Sequence, residues 1–83
     1  MLSQQDVLPG LREIVAEIAG VSGELIEPGM SFTEDLAVDS LSMVEIVTSA
    51  ETRFSVSIPD EDLPSLETVG DAVVYISRAS VTA

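Results

Sequence analysis

Apolar residues recur at helical spacing in three stretches of this chain. Val7, Leu8, Leu11, Ile14, Val15 and Ile18 share a face opposite Asp6, Glu13 and Glu17, which predicts an amphipathic helix over residues 4–19. Ser3, with Asp6 three residues on, supplies a capping box at its start, and Gly20 a terminator at its end. Pro9, followed by Gly10, interrupts that pattern. It sits too deep for a first-turn proline if Ser3 is the cap, so either the helix kinks there or it starts nearer Leu8, and the kink is favoured. A second helix opens at Asp39 or Ser40 and runs to about Phe54; Met43, Ile46, Val47, Ala50 and Phe54 fall on one side of it, while Leu41, Val44 and Thr48 lie well round from them. Thr68 with Asp71 forms another capping pattern, and Val69, Ala72, Val73 and Ile76 continue it as a helix over 69–79.

The segments between these helices carry different signals. Residues 21–38 contain Gly23, Pro28 and Gly29 and show no sustained period, and a connection this long in a small domain needs anchoring. Leu25, Ile26, Phe32 and Leu36 are spaced to pin it to the core. Phe54, Val56 and Ile58 alternate with serines as a strand would, but no second strand is available to pair with them and Pro59 stops the run, so an extended loop is expected. Pro59-Asp60-Glu61-Asp62 suits the first turn of a short helix, cut off by Pro64. The expected fold is all-α: a small bundle of three main helices plus one short helix, with a long loop between the first two. One domain over 1–80 and a short tail at 81–83 account for the chain, without internal repeats.

Composition narrows the chemistry. At 83 residues the chain supports a single core, and a domain of this size buries only about 60 to 65% of its unfolded surface. With one Tyr, two Phe and no Trp, that core must be built from Val, Leu, Ile and Ala. Fifteen acids against three arginines give a formal charge of -12, which repels nucleic-acid phosphates and anionic lipid headgroups and leaves basic proteins as the expected partners. No apolar run reaches the roughly 18 residues of a membrane span, and the N-terminus lacks the basic and apolar regions of a signal peptide, so the cytoplasm is the expected location. His, Cys and Lys are absent, which removes the usual general base, thiolate nucleophile, Schiff-base amine and zinc ligands. Paired carboxylates could still act as in a glycosidase, but that mechanism needs a cleft for which so short a chain offers little scaffold. No enzyme, no catalytic residue and no metal site are expected.

One motif carries a function. Asp39-Ser40-Leu41 opens the second helix and is followed by Met43-Val44-Glu45-Ile46-Val47. Taken alone, Asp-Ser-Leu is more often just a capped helix start. Here it follows a long anchored loop and begins an acidic amphipathic helix in a small acidic domain. From Asp35 to Ile76 the sequence resembles the acyl carrier proteins: Phe54, Ile58-Pro59-Asp60-Glu61, Thr68-Val69-Gly70-Asp71 and Tyr75-Ile76 stand where such carriers have similar residues. The wording is most like stand-alone carriers of actinobacterial fatty acid synthesis.

The resemblance implies that the Ser40 hydroxyl receives 4'-phosphopantetheine from coenzyme A through a separate transferase, and that growing acyl chains ride on this arm as thioesters. It also implies the partners: a phosphopantetheinyl transferase, ketoacyl synthases, reductases, dehydratases and acyltransferases with basic docking patches, met by a monomeric carrier. The alternatives are a carrier of polyketide, siderophore acyl or peptidyl intermediates and, from another class, an unmodified acidic adaptor. Elementary chemistry suits the carrier, because a thioester needs a sulfur that this cysteine-free chain must receive on a prosthetic group. A phosphate on Ser40 is expected to meet free backbone N–H groups at the helix end. Leu41, Val44 and Thr48, flanked by Glu45 and Glu51 and beginning beside Asp39, form an apolar stripe rimmed by acids, as a basic, grooved enzyme would require.

The remaining features receive plainer readings. Glu34, Asp35 and Asp39 lack the spacing of a calcium loop and read as a solvated acidic patch. Asp60-Glu61-Asp62 reads as helix-end electrostatics and Tyr75 as a boundary residue. Ser42 stands where many such carriers have an acid, Thr48 and Ser49 occupy positions often apolar or small, and Pro9-Gly10 is atypical of the first helix.

Overall fold

Ser3 starts the first helix in the computed structural model, which describes residues 2–81, with side chains through Ala79. Its hydroxyl accepts the Asp6 amide at 3.2 Å and its own amide donates to Asp6 Oδ2 at 3.1 Å, so the capping box closes in both directions. Helix α1 (Gln4–Ala19) then runs without interruption through Pro9 and ends at Gly20, whose φ of 75° lets its amide reach the Ala16 carbonyl at 3.0 Å. The start at Gln4 removes the later start near Leu8. Pro9 is exposed, so the Gln5 carbonyl that loses a partner faces the solvent side. Its neighbour Gly10 is buried against the end of the second helix. A Cβ added there would sit 2.8 Å from Phe54 Cζ and 3.0 Å from Arg53 Nε, so the close approach of the two helices requires the missing side chain.

Helix α2 (Ser40–Phe54) buries Ile46, Val47 and Ala50, with Met43 and Phe54 half-buried at its two ends. Helix α3 (Val69–Val81) opens with the expected exchange: Thr68 Oγ1 accepts the Asp71 amide and Asp71 Oδ2 accepts the Thr68 amide, each at 3.1 Å. It extends two residues beyond the expected end at 79, and residues 82 and 83 of the expected tail lie outside the described residues. α1 packs against both other helices, and the core between them is built from Val, Leu, Ile and Ala with one aromatic ring, Phe32.

The long connection is anchored, though not by all four expected residues. Ile26, Phe32 and Leu36 are buried, joined by Val38, but Leu25 is 65% exposed. The reason is local. Gly23–Leu25 forms a 3₁₀ turn that the sequence did not announce, and neighbours Leu25 and Ile26 cannot both face inward from it. Ile26 does so, and its carbonyl accepts Arg12 Nε at 2.9 Å. Farther along, the loop is clamped to the start of α3: the Phe32 amide donates to Glu67 O at 3.0 Å, Val69 to Met30 O at 3.0 Å and Gly70 to Pro28 O at 2.7 Å. The isolated bridge between Ser31 and Thr68 belongs to this clamp and not to a sheet.

After α2, left-handed Ser55 (φ 54°) turns the chain into the expected extended stretch, where the Ile58 amide donates to Glu51 Oε2 at 2.8 Å. A 3₁₀ segment follows over Asp60–Ser65. Pro64 lies inside this short helix and does not cut it off, because the segment is too short for the missing amide to break a ladder. Among the described residues no helix is long and apolar enough to cross a membrane.

Candidate functional site

The chain approaches Ser40 through a tight, anchored turn. Ala37 takes a left-handed conformation (φ 53°), and the Val38 amide donates to Phe32 O at 2.7 Å with the Val38 side chain buried. Asp39 and Ser40 are both exposed directly after this anchor. Asp39 is the cap: its Oδ1 accepts the Ser42 amide at 2.8 Å and its carbonyl accepts the Met43 amide at 2.9 Å. The Ser42 amide, then the Ser42 hydroxyl and more weakly the Leu41 amide hold the Asp39 carboxyl below the usual carboxylate range. Ser40 is the first helical residue, presented at the mouth of α2.

Of the helix-end amides, that of Ser42 is served by the Asp39 carboxylate, while the Met43 amide makes the ordinary first intrahelical bond to the Asp39 carbonyl. A phosphodiester on Ser40 would stand beside a negative group, which favours an arm directed into solvent.

A groove of about 860 Å³ begins at Ser40. Phe32, Val38, Met43, Leu63 and Leu66 give it an apolar lining, and Asp35, Asp39, Asp60 and Glu67 stand among its polar groups. It runs between α2, the long loop and the 3₁₀ segment Asp60–Ser65.

The second face of α2 is open. Leu41 is 69% exposed and Val44 49%, and Glu45 and Thr48 are exposed beside them. Val44, Glu45 and Thr48 also border a shallower groove of about 670 Å³ against Ile14, Glu17 and Ile18 of α1. Glu51 does not join this stripe as a free acid, since its carboxylate is engaged by the Ile58 amide and the residue is half-buried.

Of the other acids, Asp35 Oδ2 accepts the Ser31 amide at 2.7 Å, and among the described residues no His, Cys, Asp or Glu group is arranged to hold a metal ion. Tyr75 is half-buried, as a boundary residue would be, but sequence reasoning missed its bond: the hydroxyl donates to Asp62 Oδ2 at 2.5 Å. That bond first, then partial burial and the Asp62 and Glu61 charges, push the phenol up to about 12. An acid inside a short proline-containing segment, thirteen residues before the tyrosine, is no signal for such a contact. Val38, a further anchor of the site, was legible only as one more apolar residue near the motif.

Comparison with known proteins decides the family. A family profile described as "Phosphopantetheine attachment site" matches residues 9–76, and the acyl carrier protein of Acidothermus cellulolyticus is 54% identical over 82 residues, covering 99% of this chain and 98% of that one. The chain belongs to the acyl carrier proteins. The acyl carrier protein of Kineococcus radiotolerans is 56% identical over 95% of this chain and 98% of its own length. The meromycolate extension acyl carrier protein of Mycolicibacterium aurum is 50% identical over 92% of this chain and 78% of its own. Among solved structures, that of the acyl carrier protein from Enterococcus faecalis superposes with a TM-score of 0.79 at 31% identity, covering 94% of this chain and 99% of that one. As an acyl carrier protein the chain is a carrier and not an enzyme, and its cofactor is 4'-phosphopantetheine.

Proposed function

We propose that Ser40 bears the phosphopantetheine arm and that the chain presents growing acyl chains on it to the enzymes of fatty acid synthesis. The supporting observation is the exposed hydroxyl at the first position of α2, beside an apolar-lined groove. The Ser40 Oγ–phosphorus bond forms as the pyrophosphate link of coenzyme A breaks, the nucleotide half leaving with the other phosphate. The hydroxyl proton passes to a base of the transferase, because the adjacent Asp39 carboxylate, engaged by Ser42 and held below the usual carboxylate range, is a poor base. The arm supplies the thiol that holds the acyl group; the protein holds the arm, shields cargo in the groove and offers a docking face.

That face is Leu41, Val44 and Thr48 with Glu45 and Asp39, and Glu51 stands at its edge. Exposed apolar side chains rimmed by acids favour a basic, grooved partner: the transferase first, then ketoacyl synthases, reductases, dehydratases and acyltransferases. The carrier acts as a cytoplasmic monomer, with 1–80 as its folded unit. The fatty acid pathway is favoured over polyketide, siderophore or peptidyl cargo by the kinship with stand-alone carriers.

Intact mass after incubation with coenzyme A and a broad-specificity transferase tests the attachment. The unaltered chain gains one arm, and Ser40→Ala gains none while keeping its helical circular dichroism, because Asp39 still caps α2. Continued modification of Ser40→Ala would refute the assignment.

A further inference from the structure

We infer that the hydrogen bond between Tyr75 and Asp62 is a latch on the groove beside Ser40, and that Tyr75 is a positioning residue setting how readily acyl cargo enters. The inference rests on the proposed attachment at Ser40. Three walls bound the groove, and they are held unequally. The loop wall is fixed by buried Phe32 and Val38 and the bond between them. The α2 wall, Met43 and Val44, belongs to a helix whose opposite side is in the core. The third wall, through Asp60, Leu63 and Pro64, is the 3₁₀ segment, in which no residue is buried.

That segment hangs between two anchors, Ile58 and Leu66, both buried. Its 3₁₀ hydrogen bonds have poorer geometry than those of an α-helix. It is therefore the wall most able to move outward. Asp62, near its middle, is tied across to α3 by the Tyr75 hydroxyl at 2.5 Å, a short bond to an ionised acceptor. Tyr75 is itself steadied by its neighbours Val73 and Ile76, buried in the core. Neither Asp62 nor Tyr75 lines the groove. The latch thus acts on the wall from outside, and its removal changes the ease of opening without changing any surface that the cargo touches.

Tyr75→Phe removes the hydroxyl and keeps the ring. Amide hydrogen exchange of the unmodified protein should rise roughly fivefold across residues 61–66, the scale of one hydrogen bond, with no matching rise in α1. On the arm-bearing protein loaded with octanoyl groups, hydroxylamine should cleave the thioester more slowly in Tyr75→Phe by a similar factor, because the chain spends more time inside; acetyl, too short to enter, should be cleaved equally in both proteins. Asp62→Asn, which leaves Tyr75 in place, should act in the same direction and carries the test if Tyr75→Phe loses its fold. Unchanged exchange at 61–66, or a rise shared equally by α1, would overturn the latch. Local loosening with an unchanged octanoyl rate would overturn its control of cargo. Because exchange is read on unmodified protein, and attachment separately by the mass of Ser40→Ala, a failure of the site assignment is distinguishable from a failure of the latch.

Discussion

Gly10→Ala sets two opposed effects against each other at one atom. Alanine inside a helix is favoured over glycine by about 1 kcal/mol, so on propensity alone the change stabilises α1. The new Cβ, however, would lie 2.8 Å from Phe54 Cζ, 3.2 Å from Phe54 Cε1 and 3.0 Å from Arg53 Nε. Arg53 can move: its ion pair with Glu13, 2.7 Å long, has both side chains substantially exposed, and its loss costs about 0 to 1 kcal/mol. Phe54 cannot move freely, because its ring packs on the core and the left-handed residue Ser55 closes the helix behind it. Overpacking of this kind costs about 1 to 3 kcal/mol, which outweighs the propensity gain. The expected net loss is about 1 kcal/mol, or a fall of about 4 to 8 °C in melting temperature for a domain of this size. Urea melts of Gly10→Ala, Phe54→Ala and the double variant test the cause. In the Phe54→Ala background the obstacle is gone, and Gly10→Ala should turn stabilising by about 1 kcal/mol. A Gly10→Ala that stabilises both backgrounds equally would show that the helix crossing does not require the glycine.

The open face of α2 makes a second test. Glu45→Lys should slow modification by the transferase strongly at low salt, through the association rate, while changing fold stability by no more than about 0.5 kcal/mol; Val44→Ser should weaken docking with little salt dependence. Wild-type transfer rates together with a large stability loss would return this face to the core. Tyr75 is the single tyrosine of a chain without tryptophan, so phenolate absorbance titrates it alone, and its midpoint should lie near 12 and fall toward 10 in Asp62→Asn. Since the folded value is the raised one, the stabilisation is complete below about pH 10 and is lost as the pH rises through about 12; an unperturbed midpoint would dismiss the bond.

The helices were legible because their signals are local. Ser3 with Asp6 and Thr68 with Asp71 mark starts within one turn, and the period of Val7, Leu11, Ile14 and Val15 fixes the buried side of α1 without reference to anything distant. Leu41 and Val44 were also placed correctly, because a small bundle cannot cover a helix all round. What failed depended on geometry that spacing does not carry. Leu25 and Ile26 are equally apolar, and only the 3₁₀ turn decides which faces inward. Pro9-Gly10 looked like a defect until Phe54 was placed against it. Glu51 and Asp62 looked like surface acids, yet each is engaged by a residue seven or more positions away, Ile58 and Tyr75. At the site itself, the spacing offers Asp39 or Ser40 as the helix opening, and the hold of the Asp39 carboxylate on the Ser42 amide emerges only from the cap geometry.

That cap has a consequence for delivery. With the Ser42 amide already taken by the Asp39 carboxylate, an arm on Ser40, the proposed attachment residue, would be held chiefly at its covalent root and would act as a tether starting one residue from the exposed Leu41. Once a partner binds the α2 face, transfer becomes intramolecular, and a short flexible tether presents its end at an effective concentration in the millimolar range. The docking contact itself can then be weak. On the proposed docking face, a small patch such as Leu41 and Val44 would be enough to bring the cargo to the enzyme, and its weakness would let the carrier leave for the next one.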